Sequence, residues 1–276
     1  MTESLVSING FKMYVADTGE THLPAVLCLH SLFLDARMFD GFVDWAAGRY
    51  RVIRPEWRGQ GRSDLTSQKM ITMDELADDM FELIDQLGLT DVNLIAQSMG
   101  GDVAVRLAAR RPELFRSLVM AGSSARSEPD GQREDFLDWV GKAGEQGFIK
   151  DSLEDTMNIM FGPTSRNTAD PKRKESVDLW RDRINATPRH LYPAMLGVIL
   201  REDALHLLPE ITCPALVFSG DEDTARPPAW AQEVASGIPS AKLVPLTKVG
   251  HSPTLEVPEL VYPMILDFLD QHNAPR

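Results

Sequence analysis

A serine at position 98, a run of carboxylates at 221–223 and a histidine at 251 follow one another along this chain. These are the residue types from which an activated nucleophile is made. A hydroxyl attacks well only when a base takes its proton, and the base needs an acid to hold its tautomer and offset its charge. Residues 91–110 read Asp-Val-Asn-Leu-Ile-Ala-Gln-Ser-Met-Gly-Gly-Asp-Val-Ala-Val-Arg-Leu-Ala-Ala-Arg. An apolar strand enters a corner of small residues carrying Ser98 and leaves as a helix. This is the layout of a nucleophile elbow, which lifts the hydroxyl above a sheet edge over a helix N-terminus that favours developing negative charge. The turn is tight, so small residues are needed two positions either side, here Ala96 and Gly100. The usual pattern has glycine at both, so Ala96 is a departure, and a five-residue match of this looseness also describes ordinary strand ends.

The remaining elements decide whether the three can meet. Residues 5–8 and 11–16 flank Asn9-Gly10, a strong signal for a hairpin about a type I′ turn. Residues 25–29 (Ala-Val-Leu-Cys-Leu) form a continuous apolar run, as in a strand covered on both faces. A short helix is expected over 38–47 and a strand over 51–54. Thr72-Met-Asp-Glu75 is a capping box, and it opens a helix with Leu76, Met80, Leu83, Ile84 and Leu87 on one stripe, ended by Gly88. Strands over 92–96 and 114–120 flank the elbow helix. The alternation lapses over 123–208, where charged helical segments are broken by Gly and Pro. It resumes with strands over 213–219 and 241–246 and a helix from 258 to about 270. Asp221, Glu222 and Asp223 therefore follow one strand of a parallel sheet and His251 the next, at the sheet end where ligands bind.

Composition bounds the class of protein. The chain has 276 residues, 43% hydrophobic and 25% charged, enough for a large buried core. Its net charge of −13 leaves no basic face to neutralise phosphates, so neither nucleic acid nor an anionic membrane is expected as a partner. The first ten residues have no basic n-region and no apolar h-region, and no apolar run reaches the ~18 residues of a membrane span. A cytoplasmic protein is expected, with Cys28 and Cys213 as buried thiols whose spacing suits no metal site.

Over essentially its whole length the chain resembles the α/β-hydrolase fold family of serine hydrolases. The resemblance rests on the elbow, on Leu29-His30-Ser31-Leu32-Phe33 (similar to the His-Gly oxyanion loop), on Arg58-Gly59-Gln60-Gly61-Arg62-Ser63-Asp64 (similar to Arg-Gly-His-Gly-x-Ser) and on Gly220-Asp221-Glu222-Asp223. It implies a mostly parallel eight-stranded sheet with helices on both faces, residues 1–122 and 209–276 as the α/β core and 123–208 as a helical cap. It also implies Ser98 as nucleophile, His251 as general base and Asp223, the aspartate of Gly-x-x-Asp, as the acid in place of Asp221. The backbone N–H groups of Leu32 and Met99 would form the oxyanion hole. Ser31 stands where glycine is common, and its hydroxyl is expected to hydrogen-bond locally. Within the fold, His30-Ser31-Leu32-Phe33 and Met38-Phe39 look most like the 3-oxoadipate enol-lactonase-like branch, which implies a small carboxylic ester or lactone as substrate.

Candidate pocket residues are His30, Phe33, Met157, Phe161, Trp180 and Tyr192, with Met160 and Met195 beside them. The plainer reading is that His30 holds its loop and the apolar cap residues pack the cap on the core. His190 and His206 lack ligand-spaced neighbours, so no metal and no other cofactor is expected. Ser98 argues against the fold's aspartate-nucleophile dehalogenases and epoxide hydrolases. A C–C bond hydrolase of ring-cleavage products, a cofactor-free perhydrolase or dioxygenase, and a small-molecule receptor remain alternatives. A receptor would be expected to lose one of the three residues. A homo-oligomer is compatible with the sequence.

Overall fold

Asn9 and Gly10 both adopt left-handed backbone, φ 40° and 87°, the conformation that a two-residue hairpin needs. They join β1 (Thr2–Ile8) to β2 (Phe11–Asp17), with Ile8 opposite Phe11. The computed structural model describes residues 1–148, 151–187 and 189–273. It places these strands in one eight-stranded sheet with β3 (Ala25–Leu29), β4 (Arg51–Pro55), β5 (Val92–Gln97), β6 (Phe115–Ala121), β7 (Ala215–Gly220) and β8 (Ala241–Leu246). The spatial order is β1-β2-β4-β3-β5-β6-β7-β8. The β1–β2 and β2–β4 pairs are antiparallel and every other pair is parallel.

Every residue of β3, β4, β5 and β7 is buried, so both faces of the central sheet are covered, as their apolar runs require. The edge strand β8 alternates instead, and it accommodates Pro245, which has no N–H to give a further neighbour. From β3 the chain goes to β4 on one side and then to β5 on the other. That reversal opens a crevice at the C-terminal ends of β3 and β5.

The first helix differs from its expected span. A 3-10 turn (Ala36–Phe39) precedes α1 (Asp40–Ala46), because the Asp35 carboxylate accepts the Arg37 N–H and starts the turn early. The capping box of α2 (Met73–Gln86) forms in full: Thr72 Oγ1 accepts the Glu75 N–H, and the Glu75 carboxylate accepts the Thr72 N–H at 2.9 Å. Leu76, Met80, Leu83 and Ile84 are buried along one stripe, against α3 (Met99–Arg110). Arg58 pairs with Asp79 of α2, and Asp64 accepts the Lys12 N–H, which ties down the loop between β4 and α2.

Among the described residues, five α-helices lie between β6 and β7, α4 (Asp130–Gln146), α5 (Asp151–Met160), α6 (Pro163–Arg166), α7 (Pro171–Asn185) and α8 (Tyr192–Ile199), with two 3-10 turns (Arg189–Leu191 and Leu205–Glu210). Met157, Phe161 and Ile184 from this segment belong to the same continuous apolar cluster as the sheet. Then α9 (Pro228–Gly237) connects β7 to β8, and α10 (Pro253–Glu256) and α11 (Pro258–His272) end the described chain, α11 packing on α1.

Replacing the cap by Thr72→Ala removes one hydrogen-bond partner from the first turn of α2. The expected loss is about 1 kcal/mol of stability, read as a lower urea midpoint at unchanged slope.

Candidate active site

Ser98 sits between β5 and α3 at φ 53°, ψ −119°, left-handed backbone that a residue with a side chain rarely adopts. Such a conformation costs about 1–3 kcal/mol and persists only where its surroundings over-determine it. Here the Ser98 N–H donates to the Ala121 carbonyl at 3.1 Å, and the Ser98 carbonyl accepts from Gly101 at 2.8 Å and Asp102 at 3.2 Å. The neighbouring strands force the small residues of the elbow: a Cβ at position 100 would overlap the Leu29 carbonyl oxygen at the end of β3, and one at 101 the hydroxyl of Ser123, just after β6. Ala96 is a different case. It lies fully buried between Leu29 and Met120 in the parallel ladder, and its methyl group is part of the core.

The loop after β8 brings His251 to the loop after β7. Nδ1 of His251 lies 2.9 Å from Asp223 Oδ2 and 3.1 Å from Oδ1, with both residues buried. Asp223 Oδ1 also accepts the N–H groups of Ala225 and Arg226, at 2.9 and 2.8 Å. With Nδ1 donating to a carboxylate, the neutral ring leaves Nε2 as an acceptor. The other two acids of the run are engaged elsewhere: Asp221 accepts the Lys248 N–H, and Glu222 accepts the N–H and hydroxyl of Thr164. Gly122 makes room for the pair, since a Cβ there would overlap the His251 carbonyl oxygen.

Two residues with no signature in the sequence set the histidine loop. Buried Glu256 accepts the N–H groups of Gly250 and Ser252, which flank His251, each at 3.0 Å. Gln97, beside the serine, donates to the Ser252 hydroxyl at 3.1 Å and accepts from the Thr254 hydroxyl at 2.7 Å. The elbow and the histidine loop are thereby hydrogen-bonded to each other.

Ser98 and His251 line one cavity of about 60 Å³, with Ser31, Leu32 and Phe33 of the loop after β3. Leu32 is thus brought to the same cavity as Ser98, and Met99, the first residue of α3, has no helical partner for its N–H. Phe33 takes φ 68° and meets the rings of Trp139 and Phe148 edge-on. The rest of the wall comes from Phe136, Trp139 and Val140 of α4, Ile159 and Met160 of α5, and Met195, Val198 and Ile199 of α8.

Several candidate pocket residues do not reach this cavity. His30 is fully buried, with Nδ1 donating to the Ser31 carbonyl (2.8 Å) and Nε2 accepting the Trp57 N–H (3.2 Å), while the Trp57 indole donates to the His30 carbonyl (2.9 Å). Burial pushes its pKa below the ordinary histidine value, and the neutral ring staples the loop. Met157 and Phe161 are buried in the apolar cluster they share with the sheet, and Trp180 lies under Arg183 beside a separate groove. Tyr192 is partly exposed and covers Gly144. The cavity takes Met160 in place of Met157 and Met195 in place of Tyr192, one helical turn further along each helix. Spacing groups such residues on a stripe but does not say which end of it meets the sheet.

Four buried charges close the site from beneath. Glu128, at the entry to the inserted segment, pairs with Arg201 at its exit and with Arg226, both at 2.8 Å. Asp102, one turn into α3 from Ser98, lies 3.4 Å from Arg201 and 3.5 Å from Arg226. Burial by itself raises the Glu128 pKa, but the two guanidinium groups overcome it and hold the carboxyl below its ordinary value. Glu128 and Arg226 also line the cavity.

The profile of the alpha/beta hydrolase fold family matches residues 24–258, and the chain belongs to that family. Among solved structures it is similar to a thermophilic esterase from Thermogutta terrifontis, 28% identical with a TM-score of 0.87 over 99% of this chain and all of that one. It is likewise similar to an enol-lactonase from Burkholderia xenovorans LB400, 27% identical with a TM-score of 0.85 over 96% and 99% of the two chains. A curated relative, the polyketide synthase ThaQ of Burkholderia thailandensis, is 27% identical over 90% of this chain, which spans only 12% of that much longer protein.

Glu128→Gln leaves two buried guanidinium groups short of a carboxylate, with an expected loss of about 3–5 kcal/mol in urea unfolding at neutral pH. A carboxyl whose folded-state pKa lies below its unfolded value stabilises the fold fully above that value, near 4.5, and stops doing so as pH falls through the lower folded value. The stability gap between wild type and Glu128→Gln should therefore narrow on acidification below the ordinary carboxylate range.

Proposed function

We propose that this protein is a serine hydrolase that cleaves a small carboxylic ester or lactone through an acyl-enzyme on Ser98, with no cofactor in the reaction. The observation that carries the reading is a histidine oriented by a buried carboxylate, His251 Nδ1 on Asp223 at 2.9 Å, lining one cavity with a serine held on a strained elbow. Ser98 Oγ attacks the carbonyl carbon and His251 Nε2 takes its proton. The carbonyl oxygen becomes an oxyanion between the N–H groups of Leu32 and Met99, donors whose value lies in the transition state, where the charge develops. Collapse expels the alcohol, which receives the proton from His251. Water, deprotonated by the same imidazole, then releases the acid. Asp223 keeps the imidazole in the tautomer that this cycle needs.

The likeness to an esterase and an enol-lactonase, each above 25% identity, supports ester or lactone bonds as the target. The apolar wall supplied by α4, α5 and α8 suits an apolar acyl group or ring. The volume of about 60 Å³ is small beside the ~300–1,000 Å³ of sites that engulf drug-sized ligands, which points to a short one.

A panel of p-nitrophenyl esters and lactones tests the reaction. Wild type should turn over members of it, and Ser98→Ala should lose at least about 10³-fold in kcat/KM. A fluorophosphonate should label Ser98 in wild type. Turnover undiminished in Ser98→Ala would refute the acyl-enzyme.

The same panel reads acyl size. The kcat/KM for p-nitrophenyl acetate should exceed that for the octanoate by about tenfold or more, because a long chain must displace well-packed side chains of the inserted helices. A rising preference with chain length would show instead that these helices yield readily.

A further inference from the structure

Ser31 is fully buried, and among the described residues its hydroxyl oxygen has no hydrogen-bond partner. A local bond, expected from the sequence, does not form. The Ser31 carbonyl is already in use, accepting from His30 Nδ1 at 2.8 Å and from the Leu34 N–H at 3.3 Å. These contacts engage the carbonyl and leave the hydroxyl without a partner. Burying a hydroxyl without a partner is unfavourable, and in native proteins such groups concentrate where chemistry or ligands need them.

Its position is defined by the sheet. The parallel register pairs Leu29 of β3 with Ala96 of β5. Ser31 lies two residues beyond Leu29 and Ser98 two beyond Ala96, so the two serines leave neighbouring strands at the same level. Both line the cavity that holds His251. Ser31 also immediately precedes Leu32, whose N–H is one of the two backbone donors named above.

We propose that the Ser31 hydroxyl is a third, side-chain donor to the oxyanion. The inference rests on the reading of Ser98 as nucleophile. As Ser98 Oγ bonds to the carbonyl carbon and its proton passes to His251 Nε2, the carbonyl π pair moves onto oxygen. Ser31 keeps its own proton and directs it to that oxygen as a hydrogen bond. When the pair returns and the leaving oxygen departs with the proton from His251, Ser31 is unchanged. A donor in a dry site gains most when full charge appears, so its effect falls on the transition state and leaves substrate binding little altered.

The test compares Ser31→Ala and Ser31→Gly with wild type in the full-length protein. The readouts are kcat and KM on p-nitrophenyl acetate, inhibition by a trifluoromethyl ketone (which forms a hemiketal oxyanion on serine), fluorophosphonate labelling and thermal melting. Both variants should lose about 10²-fold in kcat with KM within about twofold of wild type, and hemiketal affinity should fall in step with kcat. Thermal stability should not fall, since the hydroxyl has no partner to lose. Unchanged kcat and unchanged hemiketal affinity in both variants overturn the proposal, as does a rise in KM with kcat retained. Failure of wild type to be labelled at Ser98 would remove the nucleophile reading itself. Normal labelling with unaltered Ser31 variants removes only the third donor.

Discussion

The close approach of β3 to the turn after β5 constrains everything built around Ser98. The Leu29 carbonyl sits where a side chain at position 100 would be, and the Ser123 hydroxyl where one at 101 would be. The chain therefore turns from strand to helix within one residue, and Ser98 takes the left-handed backbone of that turn. The conformation is unfavourable in isolation. The hydrogen bonds to Ala121, Gly101 and Asp102, with a fully buried β5 behind them, hold it in place. Because the turn lies beside the reversal of strand order, the loop after β3 and the serine share one crevice.

The histidine is positioned differently, by polar side chains at the ends of β5 and α10. Glu256 gathers the N–H groups on both sides of His251, and Gln97 ties the same loop to the elbow. Asp223 receives two N–H groups from its own loop as well as the imidazole. Each bond is of ordinary strength, but together they leave the loop little freedom.

The inserted helices meet this apparatus through the buried charges of Asp102, Glu128, Arg201 and Arg226. Glu128 follows β6 and Arg201 precedes β7, Asp102 is on α3, and Arg226 lies three residues after Asp223. Two positive and two negative groups offset one another, and Glu128 and Arg226 of the four line the cavity. The rest of the wall is apolar and comes mostly from α4, α5 and α8. The fold thus divides the cavity: segments at the C-terminal ends of the strands bring Ser98, Asp223 and His251 together, and helices α4, α5 and α8 supply most of its apolar wall.

Most of the sheet was legible in the sequence because local rules suffice for it. Asn9-Gly10 specifies its turn, Thr72 and Glu75 their capping box, and the short apolar run at 25–29 suits a strand covered on both faces. Ser98, Asp223 and His251 were legible because a strand end followed by a small-residue corner or a short acidic loop leaves a pattern a few residues long. Tertiary structure decided what depends on distant partners. Glu256 and Gln97 have no local signature, since their roles exist only when three loops meet. The choice of Met160 over Met157, and of Met195 over Tyr192, depends on how α5 and α8 lie on the sheet, a rotation that helical spacing does not encode. His30 is a staple because Trp57 arrives on both sides of it, and Ser31 is free because its loop uses the carbonyl and leaves the hydroxyl. Sequence determines which backbone forms locally, whereas burial and pairing across the fold determine which side chains are consumed in holding it and which remain for chemistry.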